Sequence, residues 1–107
     1  MSMIVTAALS ALLFSAPALE PLDQAREWLR AGKTPAAFGL LASTWPTLER
    51  AEDRAQARYL LGRELIKGGS AAGLEHIEAL PRPFGRLEDR RLVWRARGLS
   101  LTDRYDE

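Results

Sequence analysis

Residues 51–80 read AEDRAQARYLLGRELIKGGSAAGLEHIEAL, and this stretch decides the fold class. Its apolar side chains recur at the spacing of one helix face: Ala57, Leu60, Leu61, Leu65 and Ile66. The stripe predicts an amphipathic helix from Arg54 to Lys67, because residues three and four apart are neighbours on a helix surface. Glu52 and Asp53 lie at its first turn and Lys67 at its last, the order that the helix dipole favours.

A turn and a second helix follow this first helix. Gly68-Gly69 predicts its end, because glycine accepts the left-handed conformation that a helix C-cap needs. Ser70 is placed to cap the next helix. The apolar face of that helix comprises Leu74, Ile77 and Leu80. Pro81 and Pro83 end it, since proline disfavours helix in the residue before it. The stretch is therefore predicted to form a helical hairpin.

The chain resembles itself when it is shifted by 36 residues. The shift superimposes Arg50 on Arg86, Glu52 on Glu88, Asp53 on Asp89, Arg54 on Arg90, Gly62 on Gly98 and Leu65 on Leu101. A fixed offset of this size is typical of repeated hairpins, each of which needs a neighbour to cover its apolar face. The sequence predicts an all-α fold, an α-solenoid of stacked antiparallel helical hairpins with a 36-residue period.

The flanking copies follow the same plan. The first predicts a helix over residues 22–31, a stop at Gly32 and a second helix from Thr34-Pro35 to about Trp45. The inward residues of that second helix are Phe38, Leu40 and Leu41. The third copy is predicted to begin at Asp89, with an apolar face of Val93, Ala96 and Leu101. It stops at Glu107 without a second helix, which predicts the N-terminal piece of a longer protein; a short, complete protein is the alternative.

The first 18 residues are predicted to be a signal peptide. Residues 4–18 read IVTAALSALLFSAPA, an apolar run without a charge that ends in the small-x-small pattern of a cleavage site. The run is too short and too rich in alanine for a transmembrane helix, which needs about 20 apolar residues. The alternative is an N-terminal helix that packs on the first repeat. The prediction is a helical-repeat domain over residues 19–107 in the periplasm or outside the cell, with no membrane contact after cleavage.

Composition excludes several classes of site. The chain has no cysteine, so a disulfide framework, a thiolate metal site and a cysteine nucleophile are excluded. Its formal net charge of +1 gives no overall field toward nucleic acid or anionic lipid. Phosphate-binding glycine motifs, a zinc-protease motif and an acidic calcium loop are missing from the sequence. We therefore expect no cofactor, no metal and no nucleic-acid partner.

Three groups of residues are weighed as catalytic candidates. His76 is the only histidine, and its helix neighbours Ala72, Gly73, Ala79 and Leu80 include no ligand, so we expect a structural or solvent-facing role. The carboxylate pairs are Glu49 with Glu52 and Glu75 with Glu78, and each is predicted to be an ordinary solvated face. Glu64 lies beside the apolar stripe, where we expect partial burial and pairing with Arg63 or Lys67. A small helical enzyme using Glu64 or His76 is the least favoured hypothesis.

Arginines cluster around a tryptophan in the third copy. The candidate surface for an anionic ligand or a partner comprises Arg86, Arg90, Arg91 and Arg95, with Trp94 among them. Such a cluster suits nucleic acid in a cytosolic protein, but predicted export favours an anionic cell-wall polymer or a protein. The alternative is a solvated helix face on which arginine stems cover apolar surface. Trp28, Trp45 and Trp94 are predicted to be packing anchors between hairpins rather than a sugar platform.

The repeat resembles the tetratricopeptide family. Tyr59-Leu60-Leu61-Gly62 looks like the aromatic/leucine-glycine core of that family's first helix, and residues 94–98, WRARG, look like the next copy of it. The resemblance implies stacked helical hairpins. The residues it assigns to packing between repeats are Tyr59, Leu61, Gly62, Leu65, Trp94 and Gly98. The short second helix of the middle copy departs from the pattern, which points to a degenerate array.

An exported, Ala/Leu/Arg-rich array of this kind is also similar to the N-terminal superhelical region of soluble lytic murein transglycosylases. In that family the hairpins support a C-terminal lysozyme-like domain that cleaves peptidoglycan. The resemblance implies a non-catalytic scaffold whose partner is peptidoglycan, another protein or that catalytic domain. The family's Glu-Ser motif does not occur in this sequence, so no residue here is assigned to catalysis. The alternative is a stand-alone tetratricopeptide-like adaptor that binds a protein or peptide.

Overall fold

A computed structural model describes residues 20–102 of the chain. Within these residues the backbone forms α-helices and short 3-10 turns and contains no strand. The helices are α1 (Pro21–Arg30), α2 (Thr34–Thr44), α3 (Ala51–Lys67), α4 (Gly73–Glu78) and α5 (Glu88–Leu101). The 3-10 turns, Trp45–Thr47 and Gly85–Leu87, lead out of α2 and into α5. The predicted all-α class is confirmed.

The turns of the two helix pairs, α1–α2 and α3–α4, use glycine in the predicted way. Gly32 ends α1 with φ +77°, and the next N–H, of Lys33, donates a 2.7 Å hydrogen bond to the Trp28 carbonyl. After α3 the positive φ of +87° falls on Gly69, and the Ser70 N–H donates to the Leu65 carbonyl at 2.9 Å. These bonds satisfy carbonyls that a helix end leaves open, at the conformation that glycine adopts without strain.

Small residues bring α3 and α4 into backbone contact. Gly62 in α3 faces Gly73 in α4, and a Cβ atom built on Gly62 would lie 2.9 Å from the Gly73 carbonyl oxygen and 2.8 Å from Ile77 Cδ1. No side chain fits there, because real Cβ atoms do not approach heavy atoms so closely. The predicted apolar face of α4 is confirmed, since Leu74, Ile77 and Leu80 are all buried.

Helices pack mainly on their neighbours along the chain. α1 packs on α2, α2 on α3, α3 on α4 and α4 on α5, and α5 also lies against α3. The largest fully buried side chains are Leu41 of α2, Leu61 of α3 and Ile77 of α4. One continuous apolar cluster therefore contains residues of all five helices, from α1 to α5.

The predicted inward face of α5 is wrong. Val93 is 48% exposed, Leu101 is 41% exposed, and Ala96 is also exposed. The buried residues of α5 are Arg91, Trp94, Gly98 and Leu99. α5 carries apolar side chains on both faces, so its periodicity alone does not select one. The choice follows from packing, because Gly98 admits Ile66 and Leu74, whose Cδ1 atoms would lie 3.2 and 3.0 Å from a Cβ atom at that position.

The residues that the family resemblance assigns to repeat packing lie mostly in the interior. Tyr59, Leu61, Gly62, Trp94 and Gly98 are buried, and Leu65 is half-buried. The predicted signal peptide, residues 1–18, and the closing residues 103–107 lie outside the described residues. In the described part of the chain, no helix combines the length and the apolar character needed to cross a membrane.

Candidate functional site

The four arginines proposed as an anionic-ligand surface do not share one surface. Arg91 is only 5% exposed, and its guanidinium forms a two-armed ion pair with Glu88, at 2.7 Å (Nε to Oε1) and 2.5 Å (Nη2 to Oε2). Glu88 Oε1 also accepts the Phe84 N–H at 2.7 Å. These bonds favour the carboxylate, so the pKa of Glu88 falls to about 2, chiefly through the Arg91 hydrogen bond and then the Phe84 bond. Arg91 is therefore a structural cation and not part of a ligand surface.

Arg95 is also engaged within the protein. Its Nε lies 2.7 Å from Glu78 Oε1, while the other oxygen of Glu78 lies 2.8 Å from Arg82 Nη2. Glu78 thus links α4 to α5 and to the loop between them. The carboxylate pair Glu75 and Glu78 is not a pair of free acids, because Glu78 is shared between two guanidinium groups.

Arg86 and Arg90 are the exposed members of the predicted cluster. Arg90 lines a groove of about 290 Å³ that crosses from α1 over α3 to the start of α5. This arginine groove is lined by Arg26, Gln56, Tyr59, Leu60, Arg63, Leu87 and Arg90. Three arginines from three separate helices converge there, and none of the lining residues is acidic. Arg86 is not among the lining residues.

The arginines of this groove differ in their existing partners. Arg63 Nε lies 3.0 Å from Glu64 Oε2, and Lys67 Nζ lies 3.4 Å from the same oxygen. Arg26 forms a 3.5 Å pair with Asp23 and donates a hydrogen bond to Gln56 Oε1. Within residues 20–102, Arg90 has neither an ion pair nor a side-chain hydrogen bond. Arg90 thus presents the least compensated positive charge of the groove.

Glu64 behaves as the sequence predicts. Its side chain is 10% exposed and is paired with both Arg63 and Lys67, so partial burial with these partners is confirmed. Two cations within 3.4 Å hold it as an ion-paired carboxylate.

His76 belongs to a cluster that joins α3, α4 and the first 3-10 turn. Arg58 Nε donates a 3.1 Å hydrogen bond to His76 Nδ1, and the Arg58 guanidinium lies 4.4 Å from the centre of the Trp45 ring. The His76 ring meets Trp45 edge-on, with centroids 5.9 Å apart. Burial lowers the pKa of His76, and the Arg58 charge lowers it further.

This cluster has a structural explanation. The neutral imidazole accepts from a guanidinium that stays charged, and the guanidinium stacks on an indole face, which is a stabilising cation–π geometry. Among residues 20–102, no group of three or more histidine or acidic side chains is arranged to hold a metal ion. The predicted structural role of His76 and the predicted packing role of Trp45 both agree with these contacts.

Sequence reasoning missed the arginine groove because its arginines are distant in sequence. Arg26 belongs to α1, Arg63 to α3 and Arg90 to α5. Only the packing order of the helices brings them together, and the cluster visible in the sequence, residues 82–97, contains one of the three. The 36-residue offset does not find them either, because it relates Arg26 to Gly62 and Arg63 to Leu99.

No protein-family model matches the chain, and no curated protein or solved structure matches it. Its function is therefore inferred from the fold and the side-chain geometry.

Proposed function

We propose that the chain is a non-catalytic helical-repeat scaffold, an α-solenoid in which helical hairpins stack with a period of about 36 residues. The order of packing supports this proposal, because each helix packs on the next one along the chain. A scaffold of this kind holds a partner or a second domain in place and needs no active site of its own.

The observation that carries the proposal is the uncovered outer face of α5. Leu92 is 49% exposed and Val93 is 48% exposed, and the exposed Ala96 lies on the same side of the helix. At the 36-residue offset Val93 corresponds to Ala57, which is fully buried in α3. Because the equivalent face of α3 is core, we propose that the outer face of α5 is covered by a further helix of the same array.

The narrower form of the proposal places this scaffold in cell-wall metabolism. The resemblance to soluble lytic murein transglycosylases supports it, together with the apolar, charge-free run at residues 4–18. In this form, residues 1–18 direct export to the periplasm or beyond, and the array supports a C-terminal domain that cleaves peptidoglycan. The catalytic residues then belong to that domain.

Zymography tests the non-catalytic claim. The purified chain, renatured in a gel that contains peptidoglycan, is expected to leave no cleared band beside a lysozyme control. Clearing by this chain alone would overturn the scaffold proposal. The coding sequence after Glu107 separates the two forms of the proposal: further hairpins followed by a lysozyme-like segment with Glu-Ser would select the cell-wall enzyme.

A second candidate is a stand-alone adaptor that binds a protein or peptide segment. The arginine groove favours this candidate, because a positively charged concave surface across three helices suits a segment of opposite charge. A stop codon directly after Glu107 would select the adaptor over the enzyme support.

A further inference from the structure

The arginine groove combines features that select one class of ligand. We propose that it binds an acidic polypeptide segment and that Arg90 is the principal anchor. The inference deepens the scaffold function and rests on it, since a scaffold needs a surface that recognises its partner. The groove offers three guanidinium groups, one side-chain amide and two leucines.

Charge complementarity is the first argument. Arg26, Arg63 and Arg90 all line the groove, and no Asp or Glu is among the lining residues. Arginine forms two parallel hydrogen bonds with a carboxylate, which gives both strength and orientation. Arg90 has no ion pair or side-chain hydrogen bond to give up within residues 20–102, so its guanidinium is available to an incoming carboxylate.

The remaining lining residues favour a polypeptide. Gln56 Oε1 accepts from Arg26, and this contact leaves the amide nitrogen of Gln56 to donate to a peptide carbonyl. Leu87 is half-buried and supplies apolar contact for aliphatic stems, whereas Leu60 is buried beneath the groove. A segment in which carboxylates alternate with small residues would therefore meet both the charges and the apolar parts of the groove.

Nucleic acid fits the groove less well. Binding of single strands depends on aromatic rings against which bases stack. Tyr59 is the aromatic residue of the groove, but it is only 5% exposed and its ring packs against Phe84 at a centroid distance of 5.7 Å. Its face is therefore occupied, and the groove lacks a stacking platform.

Binding of a short acidic probe to the full chain tests the proposal. The probe is a fluorescently labelled decapeptide in which Glu and Ala alternate, and its control replaces each Glu with Gln. We expect saturable binding of the Glu peptide by fluorescence anisotropy, with amide chemical-shift changes centred on α1, α3 and the start of α5. The Gln peptide is expected to bind at least about tenfold more weakly, because hydrogen bonds to charged groups are the strong ones.

A pair of arginine variants gives the matched control. Arg90→Gln and Arg86→Gln remove the same charge from exposed positions near the start of α5, but only Arg90 lines the groove. We expect Arg90→Gln to weaken binding of the Glu peptide about tenfold and Arg86→Gln to change it by less than about twofold. Equal weakening by both variants would show a diffuse charge effect and overturn the proposal.

Two further outcomes would overturn it. One is the absence of saturable Glu-peptide binding by a chain whose helix content is intact. The other is a single-stranded oligonucleotide of equal charge that binds as tightly as the Glu peptide. These failures are distinguishable from failure of the scaffold function, since the scaffold is overturned by clearing in the zymogram and not by the loss of peptide binding.

Discussion

The α1–α2 and α3–α4 pairs share one plan, but the two helices pack more closely together in the α3–α4 pair. Each first helix ends at a glycine with positive φ, Gly32 or Gly69, and a second helix follows after a short turn. In the α3–α4 pair the contact is made by Gly62 and Gly73, whose backbones touch. Small, fully buried residues also lie in the α1–α2 pair, but they are alanines, Ala25 in α1 and Ala37 in α2.

The difference follows from the number of helices that each pair contacts. α3 is packed against α2, α4 and α5, whereas α1 packs chiefly on α2. In the α1–α2 pair Leu41 is fully buried, but Trp28, Leu29 and Phe38 are only partly buried. In the α3–α4 pair both Leu61 and Ile77 are fully buried. A helix pair in this chain therefore draws part of its buried surface from the adjacent helices and not from its own two helices alone.

Replacing glycine with alanine should change the stability in opposite directions in the two pairs, and this is the largest effect that we expect. Gly62→Ala should lower the free energy of unfolding by about 2–3 kcal/mol, because the new Cβ would lie 2.9 Å from the Gly73 carbonyl oxygen and 2.8 Å from the fully buried Ile77. This cost exceeds the roughly 1 kcal/mol that alanine gains over glycine inside a helix. Urea unfolding followed by circular dichroism measures the difference.

Gly39→Ala is the matched control in the α1–α2 pair. Gly39 lies inside α2, and no atom lies within 4 Å of the position that a Cβ atom would occupy there, so only the helix propensity changes. We expect a gain of about 0.5–1 kcal/mol in the free energy of unfolding. If Gly62→Ala and Gly39→Ala changed the free energy of unfolding in the same direction, the close packing of α3 on α4 would be contradicted.

The second-largest effect is expected at low pH, where the ion pair at the start of α5 should contribute less to the free energy of unfolding. The folded-state pKa of Glu88 is about 2, against an ordinary value of 4.5. The stabilisation from its pair with Arg91 is therefore present above pH 4.5 and is lost as the pH falls from 4.5 toward 2. Unfolding free energies measured across this range should fall with pH, and Glu88→Gln should flatten the profile.

Asp23→Asn supplies the comparison from α1. Asp23 and Arg26 form an exposed 3.5 Å pair, and exposed pairs contribute little to stability. The Asp23 variant should keep the profile of the parent protein nearly unchanged. If Asp23→Asn flattened the pH profile of the unfolding free energy as much as Glu88→Gln, the profile could not be assigned to the Glu88–Arg91 pair.

The smallest effect is expected from His76 in the α3–α4 pair. Because burial and Arg58 lower its folded-state pKa below the ordinary 6.5, the unfolded chain binds the proton more readily. The contribution of neutral His76 is present above pH 6.5 and decreases as the pH falls through and below that value. The His76→Gln variant keeps a hydrogen-bond acceptor for Arg58 but has no titrating group at this position. The free energy of unfolding of this variant should therefore lose the pH dependence. If the pH dependence were unchanged, His76 would not be its source.

Helices with one clear apolar face were predictable from the sequence. α3 and α4 carry their buried residues at helical spacing, and α3 ends at Lys67 before the predicted glycines. The other ends differ from the prediction: α3 begins at Ala51 rather than Arg54, and α4 is capped by Ala72 rather than Ser70 and ends at Glu78, before Pro81. The turn after α1 followed equally from Gly32. One detail differs from the 36-residue offset: the positive φ falls on Gly69, one residue beyond the counterpart of Gly32.

Periodicity did not predict the buried face of α5 or the arginine groove, although the family resemblance assigned Trp94 and Gly98 of that face to packing. Periodicity treats an arginine as a surface residue, and burial of Arg91 depends on Glu88 and on the fit of Gly98 against α3 and α4. Gly62 and Gly98 match at the 36-residue offset, yet the atoms nearest a Cβ at Gly62 belong to α4, whereas those nearest a Cβ at Gly98 belong to Ile66 of α3 and Leu74 of α4. Tertiary contact therefore gives equivalent positions different roles.

Hydrogen exchange in a Leu41→Ala variant tests the stacked architecture most directly. Leu41 is 1% exposed in α2, and its truncation should cost about 2–4 kcal/mol where the residue contributes to the core. If the helices are held in sequence, amide protection should fall in α1 and α2 while that of α4 and α5 changes by less than about 0.5 kcal/mol. An equal loss of protection in all helices would show one undivided core and would contradict the stack of hairpins.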